Sequence, residues 1–134
     1  GMGDRVTFTG RLDRTGMAEL YARADILLNT SLADNMPLSL LEAMAAGIPV
    51  VSTNVGGIPH MVRDGLTACL VPPRQPQAMA EAVLKLVGNP VAARGMAAAA
   101  HEDVKQYARA TIWPRLQQAY GAALGYSPVP VTQP

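Results

Sequence analysis

The sequence predicts an α/β fold, a Rossmann-like parallel sheet of about four strands with flanking helices. From Arg5 onward, short apolar runs alternate with segments of helical periodicity, a pattern typical of parallel strands joined by helical crossovers. The run at residues 24–29 has a continuous apolar centre, which indicates a strand covered on both faces. The length of 134 residues is that of one domain.

Gly and Pro residues divide the chain into these elements, because Gly permits sharp turns and Pro cannot continue a helix. The predicted strands cover residues 6–9, 24–29, 48–52 and 68–71. The predicted helices cover about residues 15–23, 38–46, 58–63, 76–87, 91–107 and 112–124. We therefore expect a partial Rossmann-like domain over residues 4–124. A Pro-rich tail, disordered or extended, is expected over residues 125–134.

The most informative segment is residues 29–53, which comprise a loop, a helix and a strand. The loop carries Asp34 and Asn35, either of which is expected to accept from free N–H groups at the helix start. The helix has only Ser39 and Glu42 as polar residues. A helix that is apolar all round is predicted to be buried.

A carboxylate in a buried helix needs a partner, because burying an unpaired charge is costly. Two kinds of partner for Glu42 stay open. One is a structural partner, such as an Arg or a backbone N–H group, and the other is a bound ligand. Asp34 lies eight positions earlier, and eight residues at helical rise span roughly 12 Å, about the length of a sugar, a diphosphate and a ribose. The helix N-terminus between the two carboxylates suits a phosphate group.

Three motifs together resemble a known family. The chain carries Asp34-x7-Glu42, then AMAAGIPVV at residues 43–51, then GGIP at residues 56–59. This pattern resembles the C-terminal, donor-binding half of the glycogen-synthase-like, family-4-type retaining glycosyltransferases of GT-B fold. The resemblance covers about residues 5–124, and Asp34 stands where that family usually has Glu.

The resemblance implies a site for a nucleotide-diphosphate sugar as donor. It implies that Asp34 lies against the donor sugar and Glu42 bonds the ribose, and these two are the predicted catalytic residues. Residues expected to bind the donor are Gly10, Arg11, Leu12, Asn35, Met36, Leu38, Ser39 and Glu42, with the first three near the base. Pro37 has no N–H and removes one backbone donor. No metal or other cofactor is required in this interpretation, and the acceptor would be a glycan, a lipid or a small molecule.

Part of the family pattern is absent. Members carry two further strand and helix units, with an Arg and a Lys for the diphosphate, and an acceptor domain before the segment that matches residues 6–9. The resemblance therefore implies an enzyme fragment that is inactive by itself and self-associates through an exposed strand edge. A non-catalytic interaction module and a nucleotide-sugar 2-epimerase-like protein of GT-B fold stay open as alternatives. His60 stands where many members carry Glu, and a solvated histidine is favoured over a role in binding.

Charge and composition argue against several other classes. The chain has 11 Lys and Arg against 10 Asp and Glu, and a net charge of +1 gives no electrostatic case for nucleic acid. Cys69 is the only cysteine, which excludes an internal disulfide, and its apolar surroundings favour a core residue. Apolar segments are short and interrupted, so we expect a cytoplasmic protein, with peripheral contact to the inner membrane face left open.

Overall fold

The computed structural model describes residues 1–125, and all but the first residue of the tail predicted at residues 125–134 lies outside them. Its helices are α1 (Arg14–Arg23), α2 (Leu38–Ala45), α3 (Ile58–Met61), α4 (Pro76–Val87), α5 (Pro90–Val104) and α6 (Arg109–Leu124), with 3-10 turns at Gly3–Arg5 and Lys105–Tyr107. Its strands are β1 (Leu27–Asn29), β2 (Val50–Thr53) and β3 (Cys69–Val71). All six predicted helices are present with ends shifted by a few residues. None of the helices described is long and apolar enough to cross a bilayer.

The sheet is parallel throughout and has the order β1-β2-β3, so β2 lies at its centre. The register places Leu28 beside Val51 and Val51 beside Cys69. Because the three strands run in one direction, their carboxyl ends share an edge. That edge carries Asn29 and Thr53. The parallel α/β fold predicted from the sequence is thereby confirmed.

The strand predicted at residues 6–9 is wrong, since the sheet described in residues 1–125 has three strands and this segment is in none of them. The segment has strand-like composition, but a strand also needs a neighbour for its N–H and C=O groups. Within residues 1–125 no strand pairs with this segment, and its side chains are exposed. Val6 is 53 % exposed and Phe8 is 93 % exposed.

Two hydrophobic cores cover the two faces of the sheet, and β2 is buried along its whole length. The face of Val50 packs against α2, α3 and α5. Its buried residues are Leu40, Ala43, Met44, Ile48, Val50, Ile58, Met61, Val62, Ala68 and Ala100. The face of Val51 packs mainly against α4. Its buried residues are Val51, Val71, Met79, Leu86 and Met96.

The predicted burial of β1 on both faces is wrong, because Leu27 and Asn29 are only half-buried and Leu28 on the other face is exposed. Leu28 shares the face of Val51, where α4 packs over β2 and β3. The helix packing of this layer is centred on β2 and β3, and Leu28 is 49 % exposed. An apolar run alone does not distinguish a covered strand from one that awaits cover.

The prediction that α2 is buried all round is also wrong. Leu40, Ala43 and Met44, at the i, i+3, i+4 spacing of one helical face, are fully buried. Leu38 and Glu42 lie on the opposite side and are exposed. A helix that lies on a sheet buries one stripe, and the remaining Ala positions give no polar signal that they face water.

This one-sided packing predicts different outcomes for two leucines of α2. Leu40→Ala should lower the free energy of unfolding by about 2–5 kcal/mol, because it leaves a cavity in the core under the sheet. Leu38→Ala is the matched control and should change it by about 0.5 kcal/mol or less, since Leu38 is 67 % exposed. Urea unfolding measures both, and equal losses would contradict the orientation of α2.

Candidate functional site

The carboxyl edge of the sheet gathers the loop after β1 and the turn after β2 into one hydrogen-bonded unit. Asn29 Nδ2 donates to Ser52 Oγ at 3.0 Å, and Ser31 Oγ donates to Asn29 Oδ1 at 2.7 Å. Thr53 Oγ1 donates to the carbonyl oxygen of Ser31 at 2.6 Å. Ser52 and Thr53 are buried, so these bonds fix the start of the loop against the end of the central strand.

Two glycines bring the same loop into backbone contact with the turn after β2. The N–H of Gly57 donates to the carbonyl oxygen of Asp34 at 3.1 Å. A Cβ on Gly56 would lie 2.0 Å from the Asp34 carbonyl oxygen, and a Cβ on Gly57 would lie 2.0 Å from that of Asn35. Only glycine permits this approach. Gly56 also has a φ of +54°, as expected for a turn, whereas Gly57 has a φ of −86° and is required by the contact alone.

The side chain of Asp34 stabilises its own loop and does not cap α2, contrary to the prediction. Its Oδ1 accepts from the N–H of Met36 at 3.1 Å, which closes an Asx turn. The N-cap of α2 is Pro37, with no side-chain cap. Within residues 1–125, no hydrogen bond uses the N–H groups of Leu38 or Ser39, so both can donate to a ligand.

The predicted separation of Asp34 and Glu42 needs a correction as well. The value of roughly 12 Å assumed helical rise over all eight residues. Only the part from Leu38 onward is helical, because Asp34 to Pro37 form the loop and the cap. The chain between the two carboxylates is therefore a loop followed by the first turn of α2. The predicted span of roughly 12 Å does not apply to it.

The carboxylate of Glu42 is exposed, and its partner is a tyrosine. Tyr21 Oη on α1 donates to Glu42 Oε2 at 2.9 Å. Burial of the ring, this hydrogen bond and the negative charge of Glu42 together raise the pKa of Tyr21 to about 12. The expectation of a costly buried carboxylate is wrong, and neither an Arg nor a backbone N–H group fills the role. Glu42 Oε1 accepts no hydrogen bond within residues 1–125.

Tyr21 is the residue of this site that the sequence reasoning missed. It lies on α1 and packs against the core beneath the sheet. A phenol on an apolar face needs a polar partner for its hydroxyl, and that requirement was the available signal.

The other predicted residues are less closely joined to this unit. Gly10, Arg11 and Leu12 precede α1, and within residues 1–125 no hydrogen bond connects them to the loop after β1 or to α2. His60 is exposed on α3, and its backbone N–H donates to the carbonyl oxygen of Gly57 at 3.0 Å. Asp34 and Glu42 thus lie on either side of the start of α2 along the chain, with residues 10–12 on a separate segment.

A cavity of about 410 Å³ lies at the opposite edge of the sheet, where the amino ends of β1 and β2 meet. Its lining is mostly apolar, and Asp25 and Arg94 in its wall form no ion pair in the described part of the chain. Ligands of open parallel sheets bind beyond the carboxyl ends of the strands. We therefore assign the candidate site to the carboxyl edge.

The family of the chain follows from comparison with known proteins. A family model described as "Glycosyl transferases group 1" matches residues 1–89. The chain belongs to this family. The resemblance to GT-B glycosyltransferases of the family-4 type is confirmed by relatives and by solved structures.

Individual members of the glycosyltransferase family align over most of this chain. It is 35 % identical to a D-inositol 3-phosphate glycosyltransferase of Mycobacteroides abscessus over 92 % of the chain and 28 % of that protein. It is 32 % identical to sucrose-phosphate synthase of Thermosynechococcus elongatus, with a TM-score of 0.87, over 92 % of this chain and 31 % of that one. The chain therefore spans about a third or less of these relatives.

A second solved structure, at 24 % identity, shares the fold alone. It is an Anabaena protein in complex with UDP-glucose, with a TM-score of 0.74, and the match covers 78 % of this chain and 29 % of that one.

The contact between the glycines and the loop predicts a position-specific cost. Gly57→Ala should lower the free energy of unfolding by about 1–3 kcal/mol, because the new Cβ overlaps the carbonyl of Asn35. Gly95→Ala is the control, since it lies within α5 with nothing within 4 Å of its Cβ position. This control should raise stability by up to about 1 kcal/mol through helix propensity. Thermal unfolding compares them, and a Gly57→Ala variant as stable as the wild type would refute the contact.

Proposed function

We propose that this chain forms part of the donor site of a retaining glycosyltransferase, which transfers a sugar from a nucleotide-diphosphate sugar to an acceptor. One observation supports this most strongly. Asp34 and Glu42 flank the start of α2 at the carboxyl edge of the sheet, and the N–H groups of Leu38 and Ser39 between them have no partner within residues 1–125. A helix start with unpaired N–H groups suits a phosphate, and the carboxylates on either side suit sugar hydroxyls.

The parts of the donor are assigned by the chemistry of each group. The diphosphate lies at the start of α2, where Leu38 and Ser39 donate. Glu42 accepts from the ribose through its free Oε1. Asp34 and Asn35 lie against the donor sugar, and the carboxylate of Asp34 is the group closest to the reacting carbon. The N–H of Met36 already bonds Asp34, so it joins the donor only if that Asx turn opens.

The base is assigned to Gly10, Arg11 and Leu12, which precede α1. Support comes from the chain order, because α1 begins directly after these residues and is joined to Glu42 through Tyr21. The Anabaena structure of the same fold holds UDP-glucose, which makes UDP the first probe for this chain. We expect sugar transfer to require more of the enzyme than the segment of the relatives with which this chain aligns. With a nucleotide sugar as donor, we place the reaction in the cytoplasm.

A measurement of nucleotide binding would distinguish the proposed donor site from a non-catalytic module with the same fold. The presence of Glu42 does not distinguish them. Glu42 is exposed, so retaining it carries little penalty and its presence alone does not argue for activity. Specific recognition of a nucleoside diphosphate at α2 is what the module lacks. The next experiment therefore measures affinity.

Two carboxylate variants test the division of roles. UDP, GDP, ADP and TDP are titrated by calorimetry or NMR, and the one that binds most tightly is used with its sugar conjugate. Glu42→Gln should weaken binding of the nucleoside diphosphate by about 1.5–3 kcal/mol, the contribution of charge-assisted hydrogen bonds. Asp34→Asn should leave that affinity nearly unchanged and reduce the additional affinity that the sugar provides.

Glu81→Gln is the control, since Glu81 is exposed on α4 and bonds only Gln77 in the described structure. Absence of binding by all four nucleotides would refute the donor site. Equal losses in the Asp34 and Glu42 variants for both ligands would refute the division of roles.

Self-association is a separate prediction from the surface around β1. The outer edge of this strand pairs with no strand in the described sheet, and Leu28 on the strand itself exposes apolar surface. Such an edge is a template for association. Sedimentation should give a mass that rises with concentration, and Leu28→Lys should reduce the rise. Leu84→Lys, at an exposed position on α4, should not. A monomer at all concentrations would contradict the prediction.

A further inference from the structure

The hydrogen bond from Tyr21 to Glu42 joins two elements that have no other such link. Within residues 1–125 it is the only hydrogen bond that α1 makes beyond its own turns and caps. The α1 helix follows the segment assigned to the base, and α2 carries the residue assigned to the ribose. We propose that Tyr21 is a positioning residue that orients the Glu42 carboxylate for the ribose hydroxyls. This inference rests on the proposed donor site.

The environments of the two side chains suit them to these roles. The ring of Tyr21 is partly buried and packs against the core cluster that contains Leu40 and Met44, so its hydroxyl has a fixed position. Glu42 is exposed and has several rotatable bonds that would otherwise be free. The bond at 2.9 Å uses Oε2 and leaves Oε1 as an acceptor. Glu42 is thus ordered before a ligand arrives, which lowers the entropic cost of binding.

The hydroxyl also remains a donor under ordinary conditions. Burial of the ring, followed by the bond to Glu42 and its negative charge, raises the pKa of Tyr21 to about 12. At neutral pH the phenol is therefore protonated and Glu42 is the acceptor. A ribose hydroxyl can then donate to Oε1 without competing with Tyr21 for the same oxygen.

A tether that only holds α1 on α2 would predict a different result from a positioning residue. Loss of a tether would loosen residues 10–12, which are assigned to the base, and would weaken the binding of all nucleotides alike. Loss of a positioning residue would weaken only the contact that Glu42 makes, and that contact exists only for a nucleotide with ribose hydroxyls. The ratio of affinities for UDP and 2′,3′-dideoxy-UDP separates the two.

The test compares this ratio in the wild type, Tyr21→Phe, Glu42→Gln and the double variant. Tyr21→Phe keeps the ring in the core and removes only the hydroxyl. We expect it to reduce the preference for UDP by about threefold to tenfold, the range for one hydrogen bond. The affinity for dideoxy-UDP should stay at the wild-type value, and the double variant should be no worse than Glu42→Gln. Tyr120→Phe, exposed on α6, should match the wild type.

The contradicting outcomes are distinct. An unchanged preference in Tyr21→Phe, or equal weakening of both nucleotides, overturns the positioning role and leaves the donor site standing. A wild type that binds UDP without preference for the ribose overturns the role of Glu42 and with it that of Tyr21. Where another of the four nucleoside diphosphates binds more tightly than UDP, that nucleotide and its 2′,3′-dideoxy form replace the UDP pair. A wild type that binds none of the four overturns both the donor site and this inference. Thermal unfolding of each variant verifies that the fold is retained.

Discussion

The backbone contact between the loop after β1 and the turn after β2 determines the geometry of the candidate site. Gly56 and Gly57 lie so close to the carbonyls of Asp34 and Asn35 that no other residue type fits. The turn is itself fixed, because β2 is buried on both faces and cannot shift. The loop thereby places Asp34 and the start of α2 beside each other. The bond from Tyr21 to Glu42 extends this order to α1.

Elements with strong local signals could be predicted from the sequence. The bounds of α4 agree with the prediction because Pro76 begins the helix and Gly88 ends it. The strand at residues 6–9 could not be assigned correctly, since its local pattern is strand-like and only the absence of a paired neighbour excludes it. The exposed face of α2 was missed because Ala occurs on both its exposed and its buried side. The sequence alone therefore does not distinguish an exposed Ala position near Glu42 from a buried one.

The spacing of Asp34 and Glu42 around a helix start made both residues candidates for the site, and their roles in binding stay predictions. Their partners depend on chain segments that the spacing does not reveal. Tyr21 lies 21 positions from Glu42, and the contact of Gly57 with Asn35 joins two loops. A turn accounts for the positive φ of Gly56 and leaves Gly57 unexplained, since Gly57 has a negative φ and is required by its contact with Asn35.

The most direct test of this account is to map where UDP binds along the chain. Amide chemical-shift changes on titration should concentrate at residues 34–36, 38–39, 42 and 10–12, all assigned to the donor. The opposite edge of the sheet holds the cavity of about 410 Å³ beside Asp25 and Arg94. Shift changes confined to that cavity, with none at the start of α2, would contradict the placement of the donor site.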